Sequence, residues 1–167
     1  MPFLTRLAAL EPDETWPGME QAAEQRYWDG LVLATDAGHE AGAIYLLGYV
    51  AEILLKTACF RTAGVGPQDN LWARQGAFDQ VKTFASWTGR NLHDLTGWLQ
   101  FLIDVRQAIG KPLNPVTAGL ITASVLAVNA HWREFLRYRF SAATEAELNE
   151  TADGVDWLRL NYDLLWR

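Results

Sequence analysis

The chain predicts an all-α protein: an antiparallel up-and-down bundle of four to five long helices. Three observations predict it. Apolar residues recur at i, i+3, i+4 and i+7 through most of the sequence, which is the period of a helix with one buried face. Helix-starting and helix-stopping residues separate those stretches at short intervals. No run alternates polar and apolar residues as a half-buried strand would. The 167 residues, half of them hydrophobic, are enough for one domain with a proper core.

The elements follow in order. Residues 1–18 are punctuated by Pro2, Pro12 and Pro17 and read as an irregular segment ahead of a single helical domain over 19–167. The first helix spans about Met19 to Ala37, with Ala23, Tyr27, Leu31 and Ala34 on one face and Gly38 as its stop. The second spans about His39 to Ala63 and is apolar almost all round, which places it at the centre of the bundle. Gly64 to Asn70 is a loop on composition, and a shorter helix covers about Ala77 to Trp87. Asn91-Leu-His-Asp94 opens the next helix, with Asn91 as cap and Asp94 reaching back; Leu95, Trp98, Leu99, Leu102 and Ile109 form its stripe. Asn114 and Pro115 then restart the chain as cap and first helical residue of a helix reaching Phe140. Thr144-Glu-Ala-Glu147 has the capping-box pattern and starts a last helix carrying Leu148, Val155, Leu158, Tyr162 and Leu165, with Gly154 as its weak point.

Composition narrows the function classes. The net charge of −6 argues against a generally basic nucleic-acid binder, though not against a local basic patch. Eight tryptophans are more than a core needs, so some are expected at an interface. The single Cys59 excludes an intramolecular disulfide and a thiolate metal cluster, and reads as a small buried hydrophobe. The N-terminus has no secretory pattern, and a reducing cytoplasm is the expected setting. Two apolar stretches invite a membrane test. Ala41 to Cys59 contains Glu52 and Lys56, each costing roughly 2.5–3.5 kcal/mol at mid-bilayer. Val116 to Ala130 is short for a span and contains Thr117, Thr122, Ser124 and Asn129. Both are expected as core helices, with no membrane partner.

Four groups of residues could carry chemistry. Tyr45, Tyr49, Glu52 and Lys56 share one helix face at spacings of 4, 3 and 4. They form either a polar seam or the wall of a nucleotide pocket. Both readings require a cross-helix partner, because unpaired buried charges are costly. The expected source is the run His131 to Arg139, where Arg133 and Arg137 lie one turn apart among Trp132 and Tyr138, and Glu52–Arg137 is the expected buried pair. The same run could instead contact RNA phosphates and bases. Gly119, Ala123 and Ala127 make a small-residue row for close helix packing, within the chain or between two copies. His39, His93 and His131 show no zincin spacing; His93-Asp94 suits a helix start, and no metal or cofactor is expected.

Three of these motifs, in order, resemble a known family. Gly42-Ala-Ile-Tyr-Leu-Leu-Gly-Tyr-Val-Ala-Glu-Ile-Leu-Leu-Lys56, then Leu92-His-Asp-Leu95, then Trp132 followed by Arg137-Tyr138 is similar to the HEPN domain (higher eukaryotes and prokaryotes nucleotide-binding), over about 22–167. The resemblance implies an antiparallel helical bundle that dimerises. It also implies a setting of toxin–antitoxin systems, defence, RNA cleavage or nucleotide binding, with a nucleotidyltransferase-like or other protein as possible partner. Catalytic members of that family place a histidine four to six residues beyond an arginine. Here Arg90 precedes His93 by three, and no histidine follows Arg133, Arg137 or Arg139. The expectation is therefore a non-catalytic HEPN-like domain acting by nucleotide or RNA binding, or by protein association. The candidate binding residues are Tyr45, Tyr49, Glu52, Lys56, His93, Arg133, Arg137 and Tyr138. The alternatives are a metal-independent endoribonuclease with a non-standard Arg/His site and a plain helical scaffold.

Overall fold

The computed structural model describes residues 15–71, 76–134, 136 and 143–167. These residues form seven helices and no strand: α1 (Trp16–Ala34), α2 (Glu40–Thr62), α3 (Ala77–Val81), α4 (Leu95–Ala108), α5 (Pro115–His131), α6 (Glu145–Leu160) and α7 (Tyr162–Trp166).

Each boundary has a local cause, and several differ from the sequence expectation. α1 starts at Trp16 rather than Met19, because Thr15 accepts from the Gly18 N–H and Pro17 sits in the first turn. It ends at Ala34, and Gly38 makes the turn into α2 at φ +90. α3 stops at Val81, well short of Trp87, where the Thr83 hydroxyl donates to the Gln80 carbonyl and the chain turns out. At α4 the cap is Asp94, which accepts from the Gly97 N–H; Asn91 instead closes a turn by accepting from the His93 N–H. α5 starts where expected, with Asn114 accepting from the Thr117 N–H, but ends at His131 rather than Phe140. Trp132 there takes an extended conformation (φ −88, ψ 136). The expected capping box at Thr144 and Glu147 is formed in full. The last expected helix is two helices, parted at Asn161, whose amide donates to the Trp157 carbonyl.

α2 is the axis of the structure. Its second half, Val50 to Phe60, is buried throughout, and α1, α4, α5, α6 and α7 all pack against it. α1 runs against α2: Trp16 donates to the Val65 carbonyl at one end, and Gly30 lies on Leu47 at the other. α6 runs against α5, with Gly154 on the Ser124 carbonyl and His131 beside Glu147 and Glu150. α4, however, lies alongside α2 in the same direction, since Glu52 meets His93 and Cys59 meets the Trp98 carbonyl. The order is thus not a plain up-and-down one. The connection through α3 returns the chain before α4 begins. By length and composition α2 is the one described helix that could cross a membrane, but most of it is enclosed by its neighbours.

One end of the bundle is closed by Arg61. It pairs with Glu20 at 2.8 Å and lies between the rings of Trp16 and Trp166. Tyr162 donates to Glu20 and contacts the Thr57 hydroxyl, and burial pushes its phenol well above the usual range. Buried Arg106 donates to the Leu165 carbonyl, which docks α7. Cys59 is buried completely, and that burial pushes its thiol up, away from thiolate chemistry. Trp98, Trp87, Phe78 and Phe101 form one aromatic cluster in the core.

Candidate functional site

Helical spacing puts Glu52 directly below Lys56 on α2, and the two pair at 2.5 Å. Both are almost fully buried, at 2% and 6% exposure, so the pair sits in low dielectric. The cross-element partner is His93. Its Nδ1 lies 3.0 and 3.2 Å from the two Glu52 carboxylate oxygens. An ionised carboxylate only accepts, so Nδ1 carries the proton there, and in the neutral ring Nε2 keeps the lone pair.

Local structure holds His93 in place. It stands in the turn that precedes α4, pinned by Asn91 at its own N–H and by the Asp94 cap one residue later. Tyr49 meets the His93 ring edge-on, and Tyr45 and Trp132 meet Tyr49 in the same way. Trp132 lies flat against Gly48, where a β-carbon would overlap its ring, and its indole donates to the Tyr45 carbonyl. The end of α5 is therefore seated on α2 beside His93.

A cavity of about 240 Å³ opens there, lined by Arg90, Asn91, His93, Asn129, Trp132 and Arg133, with Asp94 and Glu134 also at its wall. Arg90 is largely exposed and lies 3.5 Å from the Asp94 carboxylate. Burial raises the Asp94 carboxyl, but hydrogen bonds from the Arg90 N–H, the Thr96 hydroxyl and the Gly97 N–H outweigh that and hold it at about 2. Arg133 donates to the Asn129 and Trp132 carbonyls, so its cation also satisfies the open end of α5. Two guanidinium groups, one imidazole and two amides converge on one half-open space. That chemistry suits an anion with polar substituents, such as a phosphate on a sugar.

The structure brings Tyr45, Tyr49, Glu52, Lys56 and His93 into one connected group, with Arg133 at the cavity beside them. Arg137 and Tyr138 lie outside the described residues, and so does the expected Glu52–Arg137 pair. Glu52 instead has Lys56 and His93 as its described partners. Arg90, Asn91 and Asn129 were not among the sequence candidates. No spacing rule connects the turn before α4 to the last turn of α5.

No family model, curated protein or solved structure matches this chain. His131 stands apart from the cavity group, tied to Glu150 at 2.9 Å and near Glu147. Among the described residues, no group of three His, Cys, Asp or Glu side chains could hold a metal ion.

Proposed function

We propose that this chain is an HEPN-like helical domain that binds a phosphate-bearing ligand, a nucleotide or an RNA segment, in the cavity between the turn before α4 and the end of α5. The observation that carries this reading is His93, held on buried Glu52 at the wall of a cavity that also presents Arg90 and Arg133. The order of the Glu52–Lys56, His93-Asp94 and Trp132 motifs supports the family reading, and a cytoplasmic defence or toxin–antitoxin setting goes with it. The test is calorimetric titration with nucleoside phosphates and a short single-stranded RNA. Arg90→Ala and Arg133→Ala are each expected to weaken binding about tenfold, the weight of one charge-assisted contact. Binding untouched by both changes removes the cavity as the site.

A second reading, a metal-independent endoribonuclease, is favoured by the His93–Glu52 contact in particular. A buried carboxylate on one imidazole nitrogen leaves the other as a base. In that reading His93 takes the proton of an RNA 2′-hydroxyl. The 2′-oxygen bonds to phosphorus, the bond to the 5′-oxygen breaks, and the imidazolium returns the proton to that leaving oxygen. The products are a 2′,3′-cyclic phosphate and a 5′-hydroxyl. RNA cleavage in EDTA that His93→Ala abolishes selects this reading, and binding without cleavage selects the first.

A further inference from the structure

The cavity wall holds one carboxylate that phosphate binding leaves unused. Asp94 is already spent: it accepts from the Arg90 and Gly97 N–H groups and from the Thr96 hydroxyl. Glu134 is different. It stands half-buried at the cavity wall just past α5, and among the described residues its one hydrogen bond comes from Asn91. That contact is long, with Asn91 Nδ2 3.5 Å from Glu134 Oε1, so it saturates neither group. The orientation of the amide is fixed by its other end. Asn91 Oδ1 accepts from the His93 N–H at 2.8 Å, which leaves Nδ2 as the end turned toward Glu134. The second N–H of that amide has no partner among the described residues. Side by side, then, the wall presents an amide donor and the two acceptor oxygens of a carboxylate. A carboxylate beside a phosphate site repels the ligand unless the ligand brings donors to meet it.

We infer that Asn91 and Glu134 select guanine as the base of the nucleotide bound there. The inference rests on the phosphate-binding reading of the cavity and adds the identity of the base. Along its pairing edge guanine carries an acceptor, O6, and then two donors, N1–H and the N2 amino group. That order complements the donor, acceptor, acceptor array of Asn91 and Glu134, and exposed pairing edges are what proteins read on unpaired bases. The other bases do not match it. Adenine offers one amino group and turns the N1 lone pair toward the carboxylate. Cytosine sets its amino group beside two acceptors. Uracil has one N–H between two carbonyl oxygens. Each places a lone pair against a carboxylate oxygen or leaves that oxygen without a donor, and an unmet polar group costs more than a missing contact. Arg90 and Arg133, both exposed at the cavity, remain for the phosphate. At about 240 Å³ the cavity is smaller than the ~300–1,000 Å³ of most small-molecule sites, so it accepts one base at a time.

The test is calorimetric titration of the unmodified chain with the 5′-monophosphates of guanosine, inosine, adenosine, cytidine and uridine. The guanosine form is expected to bind about ten- to a hundredfold tighter than the adenosine, cytidine and uridine forms, the weight of one bidentate base contact. The inosine form, which lacks only the N2 amino group, is expected to fall between. Glu134→Gln keeps the shape of the side chain and replaces one acceptor oxygen with a donor. It is expected to bring the guanosine and adenosine forms within about threefold of each other, with helicity and melting temperature unchanged. Arg90→Ala is expected to weaken all five alike, because it meets the phosphate and not the base. Equal binding of all five to the unmodified chain overturns the inference and leaves the phosphate reading in place. A guanosine preference that survives Glu134→Gln overturns it as well, since another group then reads the base. If none of the five binds, the inference falls, and the RNA titration decides separately whether the phosphate reading falls with it.

Discussion

Glu52 accepts from Lys56 and from His93 while almost closed to solvent, so two other titratable groups depend on this one carboxylate. Removing it breaks the buried ion pair with Lys56 and takes away the carboxylate that holds His93. Glu52→Ala is therefore expected to cost about 3–5 kcal/mol in urea denaturation, the usual consequence of breaking a buried pair by removing one partner. A near-neutral change would mean that water or another group already screens the lysine. Asp94 makes a second, pH-dependent prediction. Its folded value of about 2 lies below the ~3.9 of an unfolded aspartate. Its contribution is thus complete above about pH 4 and is lost as pH falls from about 4 toward 2, amounting to roughly 2 kcal/mol. The stability gap between the unmodified chain and Asp94→Asn should be open at pH 5 and should narrow steadily toward pH 2; a gap constant across that range would contradict it. The Glu52–Lys56 pair was legible in the sequence as a one-turn spacing. The contact with His93 was not, because it joins positions 41 residues apart and periodicity says nothing about such a distance.

At the scale of elements, the helix cores were legible and their ends were less so. Asn114-Pro115 and Thr144 to Glu147 start their helices as expected, because the side chain itself supplies the missing acceptor. The end of α5 carries no comparable local signal. The apolar and aromatic pattern continues past His131, but the helix stops there because Trp132 turns to lie on Gly48 of α2. The stop is a tertiary event written at a glycine 84 residues earlier. Gly48→Ala is accordingly expected to push the Trp132 ring off α2 and break its bond to the Tyr45 carbonyl, for about 1–3 kcal/mol of overpacking. The cavity should suffer more than the fold, since Trp132 carries Asn129 and Arg133 with it. The measurement is a thermal melt beside a ligand titration, together with tryptophan fluorescence. An unchanged titration would show that the seating of α5 does not shape the cavity. Gly154, read from the sequence as a weak point of its helix, is the opposite: its missing β-carbon lets α6 lie directly on the Ser124 carbonyl of α5.

Over the whole molecule, composition and the cavity pull in opposite directions. A net charge of −6 repels polyanions at long range, while Arg90 and Arg133 attract a phosphate at short range, with Asp94 and Glu134 close by. The sequence made the first term visible as a sum of charges. The second depends on a loop and a helix end that only the folded chain brings together. Their balance predicts how binding responds to salt. A basic nucleic-acid binder neutralises many phosphates and loses affinity steeply as salt rises. Among the described residues the cavity presents two guanidinium groups, so a short single-stranded RNA held by them should show a slope of log K against log salt of about −1.4, from ~0.7 per neutralised phosphate. Arg90→Ala or Arg133→Ala should each bring the slope to about −0.7, because each removes one phosphate contact without altering the other. Titrations at about 50, 100 and 200 mM salt suffice to read it. A slope near −4 would require a basic surface beyond these two arginines and would move the interface away from the cavity. A slope near zero would mean that the cavity takes its ligand by hydrogen bonding through Asn91, Asn129 and His93, with the guanidinium groups serving Asp94 and the end of α5.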